Sequence, residues 1–200
     1  MDKLSDLELV DRVKKGDNAA FSVLVQRYEN KIYNLAYRFV GNHADACDLA
    51  QETFIKLYHS LHTYRGEASF ATWLYRVATN VCRDELRRQQ RQKKLSLDEM
   101  VEQPGFALSS DNEQEMPEEV LEKKELQEQM QNFLLELSDE HRIVLIMREV
   151  QQLSYEEIAA ALECSLGTVK SRLNRARQAL KQKFLGQTRE QLVKPARLAR

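Results

Sequence analysis

The chain has 200 residues, which is enough for one large domain or two small ones. Hydrophobic residues make up 42% and charged residues 30% of it, and it contains only six glycines and three prolines. This scarcity argues against the many tight turns of a β-sandwich or β-barrel and favours helices joined by short loops. The formal net charge of −1 would by itself argue against a nucleic-acid-binding protein, because isolated DNA-binding domains are usually basic.

That average conceals a segregation of charge along the chain. Residues 165–183 carry six basic side chains and no acidic one, and residues 83–94 carry six basic and two acidic ones. Residues 95–125 hold ten acidic residues and two lysines. Two basic blocks with an acidic stretch between them predict two separate contact surfaces.

The amino-terminal residues show no basic stretch followed by an apolar run, and no apolar stretch approaches the length of a membrane span. We therefore expect neither a signal peptide nor membrane insertion. Cys47, Cys82 and Cys164 are widely spaced and form no CxxC pattern. They predict a reducing cytoplasm and three partly buried thiols. Because His43 and Cys47 on one helical face supply only two ligands, no metal site is predicted.

Four helices are predicted in the first half of the chain. Ser5 and Glu8 predict a capping box for a short first helix, and Asp17 predicts the cap of the second. In the second and third helices, apolar residues recur at steps of three and four, which gives each helix one inward face. A fourth helix, starting near Ser69, carries the first basic block. Together these helices predict one bundle over residues 1–93.

Helical periodicity disappears over residues 94–116, where a Pro-Gly pair stands among acidic and amide side chains. This segment is predicted to be a flexible acidic linker. Pro117 suits the first turn of a new helix, and further helices follow up to residue 186. The predicted fold class is all-α, with two small helical domains over residues 1–93 and 117–186. Residues 187–200 form a basic tail, either a disordered end or a small regulatory extension.

Two helices separated by a short turn are predicted near the carboxy terminus. Ser154 and Glu157 predict a capping box for the first, whose inward face is rich in alanine and so allows a second helix to approach closely. Ser165 is placed to cap the second helix. Apolar residues of this helix recur on one face, and the other faces carry polar and basic side chains: Thr168, Lys170, Ser171, Arg172, Asn174, Arg175 and Arg177.

These polar side chains suit the reading of bases in the major groove of DNA. Arginine and lysine donate to guanine, asparagine pairs with adenine, and serine or threonine adapts to either. In a helix-turn-helix, the second helix lies in the major groove with its amino-terminal part nearest the bases. A solvated basic helix face is the alternative. The coincidence of cap, alanine-rich helix, short turn and acid-free second helix favours DNA binding.

Aromatic and basic residues interleave around the start of the fourth helix: Tyr64, Arg65, Phe70, Trp73, Tyr75 and Arg76. Such a mixture is expected of a surface that stacks on unpaired bases and tracks phosphates. The alternative is that Phe70 and Trp73 belong to the inward face of this helix. Asn80, Arg83 and Arg87 are harder to explain as core residues.

Three segments resemble a known protein family. They are DACDLAQETFIKLYHSL (residues 45–61), YRGEASFATWLYRVATNVCRDELRR (residues 64–88) and LSDEHRIVLIMREVQQLSYEEIAAALECSLGTVKSRLNRARQAL (residues 137–180). They resemble conserved regions 2 and 4 of bacterial sigma factors of the extracytoplasmic-function (ECF) group, in the same order. The resemblance implies a four-helix sigma region 2 in the first domain and a helix-turn-helix sigma region 4 in the second.

The resemblance also implies roles for residues of region 2. Five residues match the segment that docks on the clamp helices of the largest polymerase subunit: Asp45, Asp48, Gln51, Glu52 and Phe54. A solvated acidic helix face is the alternative for them. The following loop and helix match the part that melts the −10 element and captures a flipped base, whose unstacking costs a few kcal/mol. The pocket residues implied are Tyr64, Arg65, Phe70 and Asn80, and the residues implied to hold the melted strand are Trp73, Arg76, Arg83 and Arg87.

In the second domain the resemblance is to the module that reads the −35 element and touches the flap of the second-largest polymerase subunit. Lys170, Ser171, Asn174 and Arg175 match its base- and backbone-reading positions. Ser165, Thr168, Arg172 and Arg177 complete the predicted −35 surface. The acidic linker resembles the connector that passes through the active-site cleft of polymerase in this family.

The function implied is that of a sigma factor, which directs core RNA polymerase to promoters in the cytoplasm without catalysis or a cofactor of its own. An anti-sigma factor is a further expected partner and, where it is membrane-bound, would hold the chain at the inner membrane face. A stand-alone repressor or activator would need a dimer interface and a palindromic operator. An adaptor protein is disfavoured by the acid-free recognition helix, and an enzyme by the lack of a phosphate-binding glycine loop or a nucleophile elbow.

Overall fold

The computed structural model describes residues 4–98 and 118–193, and the side chains of residues 4–92 and 125–186. In this part of the chain all secondary structure is helical, so the predicted all-α class is confirmed. The α-helices are α1 Asp6–Lys14, α2 Asn18–Val40, α3 His43–Ser60, α4 Phe70–Asp98, α5 Glu118–Leu135, α6 Asp139–Leu145, α7 Tyr155–Leu162 and α8 Leu166–Val193. None of these helices combines the length and the apolar character needed to cross a membrane.

The first four helices form a bundle around α2. The predicted capping box of α1 is present: the Ser5 hydroxyl accepts from the Glu8 amide (3.3 Å), and the Glu8 carboxylate accepts from the Ser5 amide (2.7 Å). Asp17 caps α2, as predicted, by accepting from the Ala20 amide (3.2 Å). The inward faces meet in a core whose largest fully buried side chains are Leu9, Leu24, Ile32, Leu35, Phe39, Leu57, Leu61 and Leu74.

The second half begins with α5 and a helical segment that changes its winding. α6 continues into a π-helical turn, Ile146–Val150, in which the Gln151 amide donates to the Ile146 carbonyl (3.1 Å). Gln152 then adopts a φ of 57° and ends the segment. The apolar run that precedes it is buried throughout, from Ile143 to Met147. Its burial supplies the hydrophobic core on which α7 and α8 pack.

α7 and α8 form the predicted helix-turn-helix. Ser154 accepts from the Glu157 amide (3.1 Å) and Glu157 accepts from the Ser154 amide (2.8 Å), which confirms the capping box. α7 ends at Glu163 in the left-handed conformation (φ 51°), and three residues later α8 begins. The apolar face predicted for α8 is confirmed, because Val169, Leu173 and Ala176 are buried.

Two segments differ from their predicted boundaries. α4 extends through Asp98 and α8 through Val193, so the start of the predicted linker (94–116) and the start of the predicted tail (187–200) are helical. The α4 extension, residues 94–98, contains one Lys and two Leu, and the α8 extension, residues 187–193, contains two Gln, an Arg, a Glu and a Leu. These residues favour helix, and one interior Gly186 costs only about 1 kcal/mol. The rest of the predicted linker and tail, together with Pro117, lies outside the described residues.

The two halves also pack against each other. α2 contacts α5, α6 and the π-helical turn, and α4 contacts α7. Gly41, which ends α2 with a φ of 88°, lies directly against Leu135 of α5, and a Cβ atom at position 41 would come within 2.5 Å of a Leu135 methyl carbon. Nothing in the sequence predicted this contact, because the two domains were expected on a flexible linker.

Candidate nucleic-acid and polymerase interfaces

The amino-terminal part of α8 presents a polar face to solvent. Lys170, Ser171, Asn174 and Arg175 are all exposed and recur at helical spacing, so they lie on one side of the helix. Ser165 caps the helix by accepting from the Thr168 amide (3.1 Å). The face opposite is buried against α6 and α7. An exposed, capped and rigidly seated helix of this kind is what insertion into the major groove requires.

Two of the predicted −35 residues are already held by carboxylates of the same domain. Arg172, which is 21% exposed, pairs with Glu140 (2.7 Å), and Arg177 pairs with Glu149 (2.6 Å). The hydrogen bond from Arg177 to Glu149 raises the pKa of the Arg177 guanidinium. Within the predicted set, Lys170, Ser171, Asn174 and Arg175 thus face solvent, whereas Arg172 and Arg177 make ion pairs with α6 and with the π-helical turn. Thr168 belongs with the cap, since its hydroxyl contacts that of Ser165 (2.9 Å).

A cavity of about 540 Å³ opens between the loop before α4 and the start of that helix. Four of the predicted −10 residues line it: Tyr64, Arg65, Trp73 and Arg76. The rings of Tyr64 and Trp73 lie 5.2 Å apart, and the Tyr64 hydroxyl donates to the Ala68 carbonyl (2.7 Å). Burial raises the pKa of the Tyr64 phenol. The cavity thus combines an aromatic wall with two arginines at its rim, a combination suited to an unstacked base and its phosphates.

The other predicted −10 residues lie elsewhere. Phe70 is 2% exposed and packs beneath the cavity against Tyr28 (ring centroids 5.6 Å apart), so it supports the wall and does not form its surface. Asn80 is exposed and does not line the cavity, but it lies only one turn beyond Arg76 on α4. Arg83 and Arg87 continue along the same helix, and Arg87 is 70% exposed beside Asp84. Asn80, Arg83 and Arg87 thus extend from the cavity along the exposed side of α4.

The predicted polymerase-binding residues occupy α3. Asp48, Gln51 and Glu52 are exposed, and Phe54 is half-buried. Asp45 takes part in local structure, because its carboxylate accepts from the Asn42 side chain (2.9 Å) and from Gln89 of α4 (3.2 Å).

Several residues around these surfaces were not predicted from the sequence. Beside Gln51 and Phe54 an apolar hollow of about 440 Å³ lies between α2 and α3, and Ile55, 51% exposed, lines it. Lys14 of α1 supports the wall of the 540 Å³ cavity by donating to the Tyr64 carbonyl (2.6 Å). Ala160 of α7 also lines that cavity. Ile55 could have been found as an apolar residue in an acidic helix face, whereas Lys14 and Ala160 depend on tertiary contacts.

No group of three His, Cys, Asp or Glu side chains is placed to hold a metal ion in the described part of the chain. The Cys47 thiol lies 3.7 Å from a ring nitrogen of His43, and the other ring nitrogen of His43 contacts the Tyr33 hydroxyl. Cys82 is buried, and burial raises the pKa of its thiol to about 12.

Both halves match known protein-family models. Residues 24–92 match Sigma-70 region 2, and residues 127–180 match Sigma-70 region 4. Solved structures support the same fold. The structure of CnrH in complex with the cytosolic domain of CnrY matches with a TM-score of 0.67 at 24% identity, over 90% of this chain and 97% of that one. The sigma factor RpoE in complex with the anti-sigma factor NepR from Bartonella quintana matches with a TM-score of 0.62 at 22% identity, over 81% of this chain and 94% of that one.

Similar sequences cover nearly the whole chain. The ECF RNA polymerase sigma-E factor of Escherichia coli (strain K12) is 39% identical over 183 residues, which span 91% of this chain and 95% of the relative. The RNA polymerase sigma-H factor of Pseudomonas aeruginosa is 39% identical over 178 residues, or 88% of this chain and 91% of the relative. The chain therefore belongs to the extracytoplasmic-function group of RNA polymerase sigma factors.

Proposed function

We propose that this sigma factor divides promoter recognition between the exposed face of α8, which reads the −35 element, and the cavity beside α4, which holds a base of the melted −10 strand. Its role as a promoter-specific factor in transcription initiation follows from its family. The assignment of residues to that role is supported by exposure, charge and cavity shape.

The observation that carries the −35 assignment is the exposed set Lys170, Ser171, Asn174 and Arg175. All four have side chains able to donate to acceptors on base edges or phosphates, although the Ser171 hydroxyl here donates to the Thr168 carbonyl (3.0 Å). Arg172 and Arg177 contribute indirectly, because their ion pairs with Glu140 and Glu149 help to fix the orientation of α8 relative to the rest of region 4.

For the −10 element, the cavity offers what an extruded base needs. Tyr64 and Trp73 give it an aromatic surface, and Arg65 and Arg76 stand where phosphates of the strand would pass. Arg83 and Arg87, further along α4, extend this basic path. Capture of the base in a recess compensates for the few kcal/mol lost on unstacking it.

The partners follow from the surfaces that the two regions leave open. We assign the clamp helices of the largest subunit of core RNA polymerase to the exposed residues of α3, and the flap of the second-largest subunit to region 4. One structural neighbour, the sigma factor RpoE of Bartonella quintana, is bound to the anti-sigma factor NepR, and another, CnrH, is bound to the cytosolic domain of CnrY. An anti-sigma factor is accordingly the proposed regulator of this chain, which we place in the cytoplasm, held at the membrane face while its regulator is bound. No catalytic step is assigned to it.

The test is run-off transcription with purified core RNA polymerase on fragmented DNA from the source genome, with and without the protein. Discrete transcripts are expected only when the protein is present, and Arg175→Ala should weaken them strongly. Lys181→Ala is the matched control, because Lys181 is an exposed cation on the same side of α8 but about two turns beyond Asn174, outside the amino-terminal part of the helix that is proposed to enter the groove.

Equal loss of transcripts in Lys181→Ala and Arg175→Ala would contradict base reading by this face of α8 and leave only a general requirement for positive charge. Binding of the free protein to a palindromic duplex, without any polymerase-dependent transcript, would support a stand-alone regulator instead.

A further inference from the structure

Region 4 holds the carboxyl end of α2, the central helix of region 2. The Gln131 amide of α5 donates to the carbonyls of Tyr37 (3.2 Å) and Arg38 (3.3 Å), and Arg142 of α6 donates to that of Phe39 (2.6 Å). The Tyr37 carbonyl already accepts from the Gly41 amide (2.8 Å), whereas those of Arg38 and Phe39 lie in the last turn of α2, where carbonyl groups have no partner within the helix. Gln131 and Arg142 therefore satisfy two acceptors that would otherwise need water. We call these contacts the α2 clasp.

A second set of contacts joins the halves nearer to the base cavity. The Gln151 side chain donates to the Lys31 carbonyl of α2 (3.1 Å) and accepts from the hydroxyl of Tyr75 in α4 (2.8 Å). Tyr75 is only 3% exposed. Because Tyr75 lies between Trp73 and Arg76 on α4, this contact brings region 4 directly to the helix that carries the proposed −10 residues.

At the cavity itself, region 4 occupies the place proposed for nucleic acid. Ala160 of α7 contributes to the cavity wall, and the Glu163 carboxylate accepts from the Arg76 guanidinium (2.9 Å). Glu163 is 70% exposed and reaches Arg76 from a left-handed backbone conformation at the end of α7. A carboxylate on Arg76 stands in the position that a phosphate of the melted strand would take, since both are anionic oxygen acceptors for a guanidinium.

We infer that the free chain masks its own −10 site: the α2 clasp holds region 4 against region 2, with Glu163 and Ala160 covering Arg76 and the base cavity. This inference rests on the proposed −10 function of that cavity. Single-stranded DNA then binds only after the two regions separate, so the affinity measured for the free chain is reduced by the fraction of molecules that are closed.

Few hydrogen bonds are lost when the α2 clasp opens and the two regions separate. The Gln131 Oε1 atom is buried without a hydrogen-bond partner among the described residues, and separation of the regions would hydrate it. The Arg76–Glu163 pair is largely exposed and therefore weak. Three of the four carbonyls that Arg142 contacts, those of Leu134, Leu135 and Leu137, belong to its own half, so most of its hydrogen bonds survive opening.

The variant that tests the clasp is Gln131→Glu. It keeps the shape of the side chain but places a buried carboxylate against the carbonyls of Tyr37 and Arg38, which disfavours only the closed state. Asn132→Asp is the matched control, because it adds the same charge at the adjacent, exposed position of α5. The probe is a fluorescein-labelled oligonucleotide of the non-template strand from the −10 region of a promoter mapped by the run-off assay.

We expect free Gln131→Glu to bind this oligonucleotide about tenfold more tightly than the wild type. This is the gain in apparent affinity if the variant lowers the ratio of closed to open molecules about tenfold in a mostly closed protein. Asn132→Asp should bind no more tightly than the wild type. Equal affinities of Gln131→Glu and Asn132→Asp, with both proteins folded by circular dichroism, would overturn the inference.

A distance measurement tests the closed state without relying on DNA. Donor and acceptor dyes are placed at the exposed positions Gln26→Cys in α2 and Gln182→Cys in α8, in a chain whose reactive thiols are removed by Cys47→Ser and Cys164→Ser. We expect efficient energy transfer in this chain and a clear loss when Gln131→Glu is added. Transfer that is unchanged by Gln131→Glu would overturn the α2 clasp.

The two proposals fail in different ways. If transcription depends on the protein but affinity and energy transfer do not respond to Gln131→Glu, the −10 function stands and self-masking is wrong. If energy transfer falls as expected but Gln131→Glu binds the oligonucleotide no better than duplex DNA, the clasp stands and the −10 assignment of the cavity is wrong, and self-masking with it.

Discussion

The two surfaces proposed to contact promoter DNA differ in how accessible they are to DNA in the free chain. On α8 the reading side chains are exposed, and the helix is fixed by its cap, its buried face and the ion pairs of Arg172 and Arg177. Beside α4, Tyr64 and Trp73 are 6% and 8% exposed, and region 4 stands at the cavity entrance.

The difference follows from the form of DNA that each surface would meet. Duplex DNA already displays its base edges in the major groove, so an exposed helix can read it without rearrangement. An unpaired base is bound through its flat, apolar faces, which requires aromatic side chains arranged as a recess. Exposing such aromatic side chains fully to water costs free energy, so they are partly buried in the free chain. We therefore expect that the exposed residues of α8 can be changed without loss of stability, whereas Tyr64 and Trp73 cannot.

The largest effect is expected from Trp73→Ala. Because Trp73 packs against Tyr64 and Phe70 and is nearly buried, its truncation should lower the free energy of unfolding by about 3–5 kcal/mol as well as abolish promoter melting. Thermal unfolding and permanganate footprinting of the −10 region measure the two effects. Tyr58→Ala, at an aromatic side chain that is 44% exposed on α3, serves as the comparison and should cost much less.

An intermediate effect is expected from Arg175→Ala. Loss of one bidentate base contact costs about 1–3 kcal/mol, so holoenzyme should bind a promoter with its −35 element about fivefold to 150-fold more weakly. The melting temperature should not change, because Arg175 is exposed. Arg172→Ala should show the reverse pattern, with a lower melting temperature through loss of the Glu140 ion pair and a smaller change in promoter affinity. If both variants behaved alike, the division between reading and anchoring arginines would be wrong.

The smallest expected effect is a difference in the rate at which the three cysteines react with a thiol reagent. Burial raises the pKa of Cys82 in α4 to about 12, so the thiolate is scarce at pH 8, and a thiol reagent should label this residue only after unfolding. Cys47 is exposed and Cys164, beside the start of α8, is half-buried, so both should react in the native protein. Mass spectrometry of peptides after timed labelling measures the three rates. Native labelling of Cys82 as fast as that of Cys164 would contradict the tight packing of α4.

Local features of this fold were predictable from the sequence because local interactions determine them. Ser5, Asp17 and Ser154 cap their helices as predicted, and the apolar positions of α8 are buried. The exposed reading set of α8 was also contained in the prediction. These features depend on residues three or four positions apart, which a single sequence displays.

Features that join distant residues were not predictable in this way. Phe70 could not be separated from the cavity surface by its spacing, because an aromatic residue on an inward helix face looks the same whether it lines a recess or supports it. The ion pairs of Arg172 and Arg177 depend on how α8 packs against α6 and the π-helical turn. Nor does any periodicity report that Gln131 reaches the carboxyl end of α2.

The position of Trp73 has an experimental consequence. It is the only tryptophan in the chain, and it stands in the wall of the cavity proposed for the flipped base. A nucleobase stacked there would quench indole emission, so excitation of the unlabelled protein follows strand capture in real time and distinguishes it from duplex binding at α8, which lies outside the cavity. Under the proposed −10 function, the emission of Trp73 therefore reports when a promoter opens.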